Sequence, residues 1–503
     1  MKKINKIFAI IFCCVFFIAS CGKTAEENQK DDLGSFADQN MITEDTEDFI
    51  IKDSPGILDI PGQTLNITYH TGYIPDRIGE MIEIFRRMYP NITVNTTIIR
   101  GGYSYAAQMQ GLERQNYPTI FYDILTSENV PDLIMAPFQY DRLALYDEQL
   151  HGKLADLSEL MANDLLFVES DYYMSAINVF EYDDKLYEFP ILFQNIFVAV
   201  NNKISDEFTD LFKTHKTVNI KNLLDIQNNL NTGGRSLYDS FDTFHAARNM
   251  LGGYLSLADR KADFLNPSFI DLLDNAKRWS DPEKPEDSFF FPYNVHTGVV
   301  LELDERKLIQ NYSFINHFHD TFQYFLSAEP GSSPGFSYGK PLADAEGNIL
   351  MNDSIRFCIS EESQSKDLAW ELIKFLASPE AFGYGNIRVG ATQLALNSYI
   401  SVNRHVIPFY FDFLVYSDGI SQKMRFDSFK WKFDGTREEQ ATFIDDYFYE
   451  MLSSPMSIIE FEPWFAYQPL VVFHLGQSDA YEAAELLQSM LTEYFNYLAS
   501  EGQ

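Results

Sequence analysis

Beyond residue 62 the apolar positions fall into alternating strand-like and helix-like runs. Leu65-Asn66-Ile67-Thr68-Tyr69 alternates as a strand, and Thr71-Gly72-Tyr73-Ile74-Pro75 reads as the loop at its carboxyl end. From Asp76 onward Ile78, Met81, Ile82, Phe85 and Met88 recur at helical spacing, until Tyr89-Pro90-Asn91 stops the run. Residues 92–99 are the next strand, followed by Gly101, Gly102, Tyr103 and Tyr105 and then by a helix carrying Met109 and Leu112. Residues 131–136 form a third strand, with Phe138 and Tyr140 in the turn behind it. Strand, helix, strand, helix, strand predicts a parallel sheet with crossover helices. Ligands of such sheets lie outside the carboxyl ends of the strands, which makes Tyr73, Tyr103, Tyr105, Phe138 and Tyr140 candidate contacts.

The stretch 183–202, DDKLYEFPILFQNIFVAVNN, breaks that order. Asp183 and Asp184 make a polar turn, and Pro190 lacks the donor that a central paired strand needs. Phe197, Val198, Ala199 and Val200 then resume a β-branched and aromatic run that stops at Asn201 and Asn202. The pattern predicts two strand pieces with a break at 193–195, where a chain can pass from one lobe to another. A single bulged strand inside one domain is the alternative.

Length agrees with more than one lobe, since 503 residues exceed what a single core usually serves. A net charge of -35 argues against a nucleic-acid partner, whose phosphates are bound chiefly by Lys and Arg. It also disfavours a strongly anionic ligand outside a locally basic pocket. The first sixty residues are of another kind. Lys2, Lys3 and Lys6 precede an apolar run at 7–18, short of the roughly 20 residues a bilayer span needs, and Ile18-Ala19-Ser20-Cys21 follows at once. This resembles a bacterial lipoprotein signal peptide with its lipobox, which implies loss of 1–20 and a membrane anchor acylated at Cys21; a short uncleaved anchor is the alternative. Residues 21–60 are acidic and short of aromatics, the composition of a disordered tether. With Cys21 taken by lipid, only Cys358 remains after cleavage, so no disulfide is expected. Cys358 lies in an apolar run at 355–360 and reads as a small buried hydrophobe.

Several segments, in their order and spacing, resemble the family 1 extracellular solute-binding proteins, the maltose-binding-protein-like lipoproteins of sugar ABC transporters. They are FRRMYP and NITV at 85–94, PDLI at 131–134 with LADL at 154–157, and KLYEFP at 185–190 with NNK at 201–203. SKDLAWELIKFL at 365–376 is similar to the family's signature helix, SPE at 378–380 to its ending, and YISVNR at 399–404 to a later segment. A helix predicted over 478–498 is placed as in the family's C-terminus. Two places depart from the pattern. KLIQNYSF at 307–314 stands where members often carry a glycine-rich segment ending in Ala-Met, and 409–464 is unusually aromatic.

The resemblance implies an α/β, two-lobed periplasmic-binding-protein-like (type II) fold with a ligand cleft between the lobes. Crossings are expected near Gln194, Asn352 and Leu396, giving lobe one as 61–194 and 353–395 and lobe two as 195–352 and 396–503. It further implies a monomer on the outside of the cytoplasmic membrane that captures a small molecule, a sugar or oligosaccharide, and delivers it to an ABC permease without a cofactor. A receptor for a peptide or polyol, a sensor subunit and a surface glycoside hydrolase are the alternatives. A neutral sugar presents apolar C–H faces and many hydroxyls, so its pocket pairs aromatic plates with polar side chains. That chemistry adds Gln194, Tyr312, Trp431, Trp464, Phe465 and Tyr467 to the loop aromatics, with ordinary core packing the competing reading for each.

Catalytic and metal patterns fall short. GSSPG at 331–335 matches G-x-S-x-G, but Pro334, Gly335, Gly339 and Pro341 forbid the helix that must follow a serine nucleophile at Ser333. His317 and His319 with Asp320 are a weak metal pattern, and acid pairs such as Asp183 with Asp184 and Asp445 with Asp446 are expected at this charge. H-E-x-x-H, the phosphate loop and C-x-x-C do not occur. No catalytic residue and no metal ligand is expected.

Overall fold

Alternation at Leu65, Ile67 and Tyr69 becomes β1 (Thr64–His70), with those three side chains buried. The computed structural model describes residues 62–70, 75–99, 117–136, 152–201, 216–219, 254–256, 258–277, 309–313, 336–344, 346–386, 399–406, 437–458, 469–470, 472–473 and 476–501. In α1 (Pro75–Met88) the predicted stripe of Ile78, Met81, Ile82 and Phe85 is buried to 1% exposure or less. β2 (Thr93–Ile99) pairs parallel with β1, and after α2 (Tyr117–Thr126) the short β3 (Leu133–Met135) pairs parallel on its other side. The parallel sheet predicted from the repeating order is therefore present. Thr68 is buried as well, while Thr64 and Asn66 on the same face of β1 are exposed. The helix expected around Met109 and Leu112, and the loops at 71–74 and 101–105, lie outside the described residues.

α3 (Leu157–Asn163) begins where the Asp156 carboxylate accepts from the Ser158 amide at 3.0 Å, an N-cap. A short turn at Glu169–Asp171 and α4 (Met174–Asn178) lead to the hairpin of β4 (Glu181–Tyr182) and β5 (Lys185–Leu186). Asp183 and Asp184 are its turn, with φ of 52 and 58°, the left-handed pair that a two-residue hairpin of this hand requires. The chain continues as β6 (Phe189–Asn201), β7 (Val218–Asn219), a small hairpin of β8 (Leu255–Ser256) and β9 (Lys261–Ala262), and α5 (Pro267–Lys277). Next come β10 (Ile309–Ser313), β11 (Phe336–Ala343), β12 (Ile349–Ile359), α6 (Lys366–Ala377) and α7 (Pro379–Asn386). The last elements are β13 (Ile400–Ser401), α8 (Arg437–Leu452), β14 (Met456–Ile458) and α9 (Ala480–Glu501).

β6 corrects one expectation: it is a single strand of 13 residues with no break at 193–195. From Phe189 to Gln194 it pairs antiparallel with β12, and from Ile196 onward with β10 on one side and β11 on the other. The backbone stays extended because one set of partners replaces another. Pro190 is accommodated by a slip in register, with Leu192 opposite Ile355 but Pro190 opposite Arg356, so that Ile191 is the extra residue of an irregular pair. The resulting mixed sheet has ten strands in the order β10-β6-β11-β12-β3-β1-β2, with β13 on β6, β14 on β12 and β7 on β11. β11 follows the GSSPG segment, so a strand stands where a nucleophile elbow needs a helix.

Among the described residues three apolar clusters are separate, one of them formed by Phe121, Leu125, Ile134, Ala136, Leu154 and Cys358. The largest gathers β1, β6 and β12 under α1 and α6, and the third joins Phe264, Phe269 and Leu273 to Ala483, Ala484, Leu487 and Leu491 of α9. Cys358 is a fully buried thiol on β12, outside any disulfide. Among the described residues no helix is long and apolar enough to cross a membrane.

α6 is held by charge as well as burial. Trp370 Nε1 donates to Asp164 Oδ2 at 2.9 Å, and Lys374 Nζ lies 2.5 Å from the same oxygen. Burial pushes the Asp164 carboxyl up, but hydrogen bonds from Lys374, the Leu166 amide and Trp370 outweigh it and hold the group below the usual carboxylate range. A depressed folded value contributes stability above the unfolded value, near pH 4, and loses it as pH falls through the folded one. Asp164→Asn therefore costs about 1–2 kcal/mol at pH 7. In urea unfolding the gap from wild type should stay constant down to about pH 4 and close below it; a gap independent of pH to pH 2.5 would assign the loss to packing instead.

Candidate functional site

Strand direction brings one edge of the sheet together. β1, β2 and β3 are parallel, with His70 level with Ile99 and Thr68 level with Ile134, so their carboxyl ends point the same way. β12 is antiparallel to β3, and β6 is antiparallel to β12, so β6 runs with β1 to β3. Phe357 is level with Met135 and Asp353 with Gln194, so β6 and β12 continue about four residues, roughly 13 Å, past the carboxyl end of β3. At that height they part, and β11 enters between them.

Polar side chains collect there inside apolar surroundings. Gln194 is 2% exposed and Asn195 is fully buried, its Nδ2 donating to the Leu350 carbonyl at 3.2 Å. Nearer β3, Arg356 Nε donates to Glu188 Oε1 at 3.2 Å and its Nη1 to Ser354 Oγ at 2.7 Å, with the guanidinium 4.9 Å from the centre of the Phe180 ring. All of the polar groups belong to β6, β12 or the residue before β6. A buried ion pair, Arg356 with Glu188, thus lies beneath this edge.

The sequence candidates fare unequally. Gln194 is on this edge, buried, level with Asp353. Tyr312 is on β10, opposite Phe197 and three residues of β6 beyond Gln194. Tyr73, Tyr103, Tyr105, Phe138, Tyr140, Trp431, Trp464, Phe465 and Tyr467 lie outside the described residues, as do Cys21, His317, His319, Asp320 and Ser333. The strands that lead to the first five, β1, β2 and β3, end at this edge. Asp445, from one of the acid pairs, is instead bound two-pronged by Arg404 at 3.1 and 2.7 Å. Among the described residues no cluster of His, Cys, Asp or Glu is placed to hold a metal. Sequence reasoning missed Glu188, Arg356 and Asn195. Each is a polar residue inside an apolar run, the available signal for a buried partner elsewhere in the chain.

Comparison with known proteins bears on the fold and the family. No curated protein matches the chain in sequence. Among solved structures, the sugar-binding protein MalE from Xanthomonas citri is 13% identical with a TM-score of 0.52, over 87% of this chain and 98% of that one. A sugar transporter protein of Rhizobium etli in an open conformation is 13% identical with a TM-score of 0.49, over 85% and 99%. A family 1 solute-binding protein of Alicyclobacillus acidocaldarius is 14% identical with a TM-score of 0.47, over 88% and 100%. At such identity the likeness to MalE shows the fold, the two-lobed α/β architecture of periplasmic binding proteins. The pattern of one family covers residues 70–381, more than half of the sequence, and so the chain belongs to the bacterial extracellular solute-binding proteins.

Proposed function

We propose that this protein is a lipid-anchored receptor that captures a sugar or oligosaccharide between two lobes and delivers it to an ABC permease. The observation that carries the reading is the edge where three parallel strands end beside the fork of β6 and β12, in a chain of the solute-binding family. In this reading 61–194 and 353–395 form lobe one, 195–352 and 396–503 form lobe two, and closure on the ligand is a hinge motion. Gln194 supplies an amide, and Tyr73, Tyr103, Tyr105, Phe138, Tyr140, Tyr312, Trp431, Trp464 and Tyr467 supply rings. A sugar suits such a pocket because its C–H faces stack on rings while its hydroxyls take the amides. The likeness to a sugar-binding MalE supports that ligand class. Cys21 carries the lipid, and a tether of some forty residues spans about 35 Å on average, which keeps a monomeric receptor near its permease outside the cytoplasmic membrane. Its part is binding, without catalysis or cofactor.

Thermal unfolding with a panel of monosaccharides, maltose and longer oligosaccharides tests this. A sugar at about 100 times its Kd adds about 2.7 kcal/mol, a rise of a few degrees in Tm, and is recovered intact. A flat response to every sugar overturns the carbohydrate assignment, and a cleaved glycan overturns the binding-only role.

A further inference from the structure

β6 and β12 are paired neighbours as far as Gln194 and Asp353, and one residue later they are not. β11 separates them, with Pro341 opposite Phe197 of β6 and Ala343 opposite Ile349 of β12. Asn195 stands at the apex of the fork, fully buried. Its Nδ2 donates to the Leu350 carbonyl of β12 at 3.2 Å, spanning the gap where the ladder has just ended. Its Oδ1 is buried with no hydrogen-bond partner among the described residues. Folded proteins satisfy nearly all such atoms, and an exception at a point where two strands part calls for a reason.

We infer that Asn195 is a latch in this fork that sets the balance between two arrangements of the lobes. In the arrangement described it ties β6 to β12 through Leu350; in the second, a donor freed as the fork changes angle reaches Oδ1. Successive side chains of a strand point to opposite faces, so Asn195 faces away from the side of Gln194 and acts without touching ligand. It is a positioning residue, working through the population of the binding-competent arrangement. The inference rests on the two-lobed closure proposed above, and it deepens that reading.

Asn195→Leu keeps the branched shape and removes both the donor and the orphaned oxygen. The test uses the full chain in detergent, with Cys13, Cys14 and Cys21 changed to Ser and spin labels at Arg87→Cys on α1 and Glu485→Cys on α9, both exposed positions. Without ligand, the wild-type background gives two populations of label distance and Asn195→Leu collapses them into one. Asn195→Ser, which keeps a donor and an acceptor, restores the second. Maltotriose, or whichever sugar raises the wild-type Tm, binds Asn195→Leu at least tenfold more weakly. Identical ligand-free distributions in wild type and Asn195→Leu overturn the proposal, as does a single wild-type population. If Asn195→Leu does not fold, Asn195→Ala is compared with Asn195→Ser, and equal distributions overturn it. The ligand-free comparison needs no sugar, so failure of the sugar assignment alone leaves it standing.

Discussion

Replacing Arg356 by methionine while leaving Glu188 in place should lower the unfolding free energy by about 3–5 kcal/mol. Both side chains are buried, at 0 and 1% exposure, and lie 3.2 Å apart. The guanidinium also donates to Ser354 and rests against the Phe180 ring. Methionine fills much of the volume but leaves a carboxylate in an apolar interior with its counter-charge gone, and that stranded charge is the main cost. The companion Glu188→Leu strands the guanidinium and should cost a similar amount. The double variant should recover most of the loss, because a buried pair barely outweighs its own desolvation when well-packed apolar groups replace it. Urea unfolding of the four proteins gives the coupling directly. If Arg356→Met alone costs less than about 1 kcal/mol, the pair is not what secures β6 to β12 beneath the candidate site.

How much of this was legible in the sequence depended on distance along the chain. The stripe of α1 and the buried face of α6 follow from spacing within a dozen residues, and both stand as the pattern implies. The parallel order of β1, β2 and β3 was legible too, because helices between strands leave little other topology. The break at 193–195 was misread because Pro190 was weighed for its missing donor and not for the slip in register that accommodates it. That slip is a property of β12, more than 150 residues later. Arg356 and Glu188 are 168 positions apart, and Asn195 and Leu350 are 155 apart, so no local pattern pairs them. Tyr73, Tyr103, Tyr105, Phe138 and Tyr140 follow strand ends and the other ring-bearing candidates follow from the chemistry of a sugar, reasons that select a neighbourhood and not a contact. Gln194 follows from the need for polar partners to a sugar's hydroxyls, and among the described residues it is the candidate whose buried side chain is on the edge.

Trp370→Ala should cost about 3–5 kcal/mol, the other large loss expected of a single substitution here. The indole is 3% exposed, sits edge-on to Phe189 at 5.1 Å and lies 5.8 Å from Phe167, and its N–H bonds Asp164. Truncation therefore empties a cavity among rings and leaves the Asp164 carboxylate with one donor fewer. Trp370→Phe separates the two causes: it keeps most of the ring contact, loses the N–H, and should cost only about 1–2 kcal/mol. If phenylalanine costs as much as alanine, the hydrogen bond and not the packing holds α6 in place. Either outcome makes Trp370 a residue of the core of the largest apolar cluster, joined to the start of β6 through Phe189. α6 is thus held in place by packing and by Asp164 together.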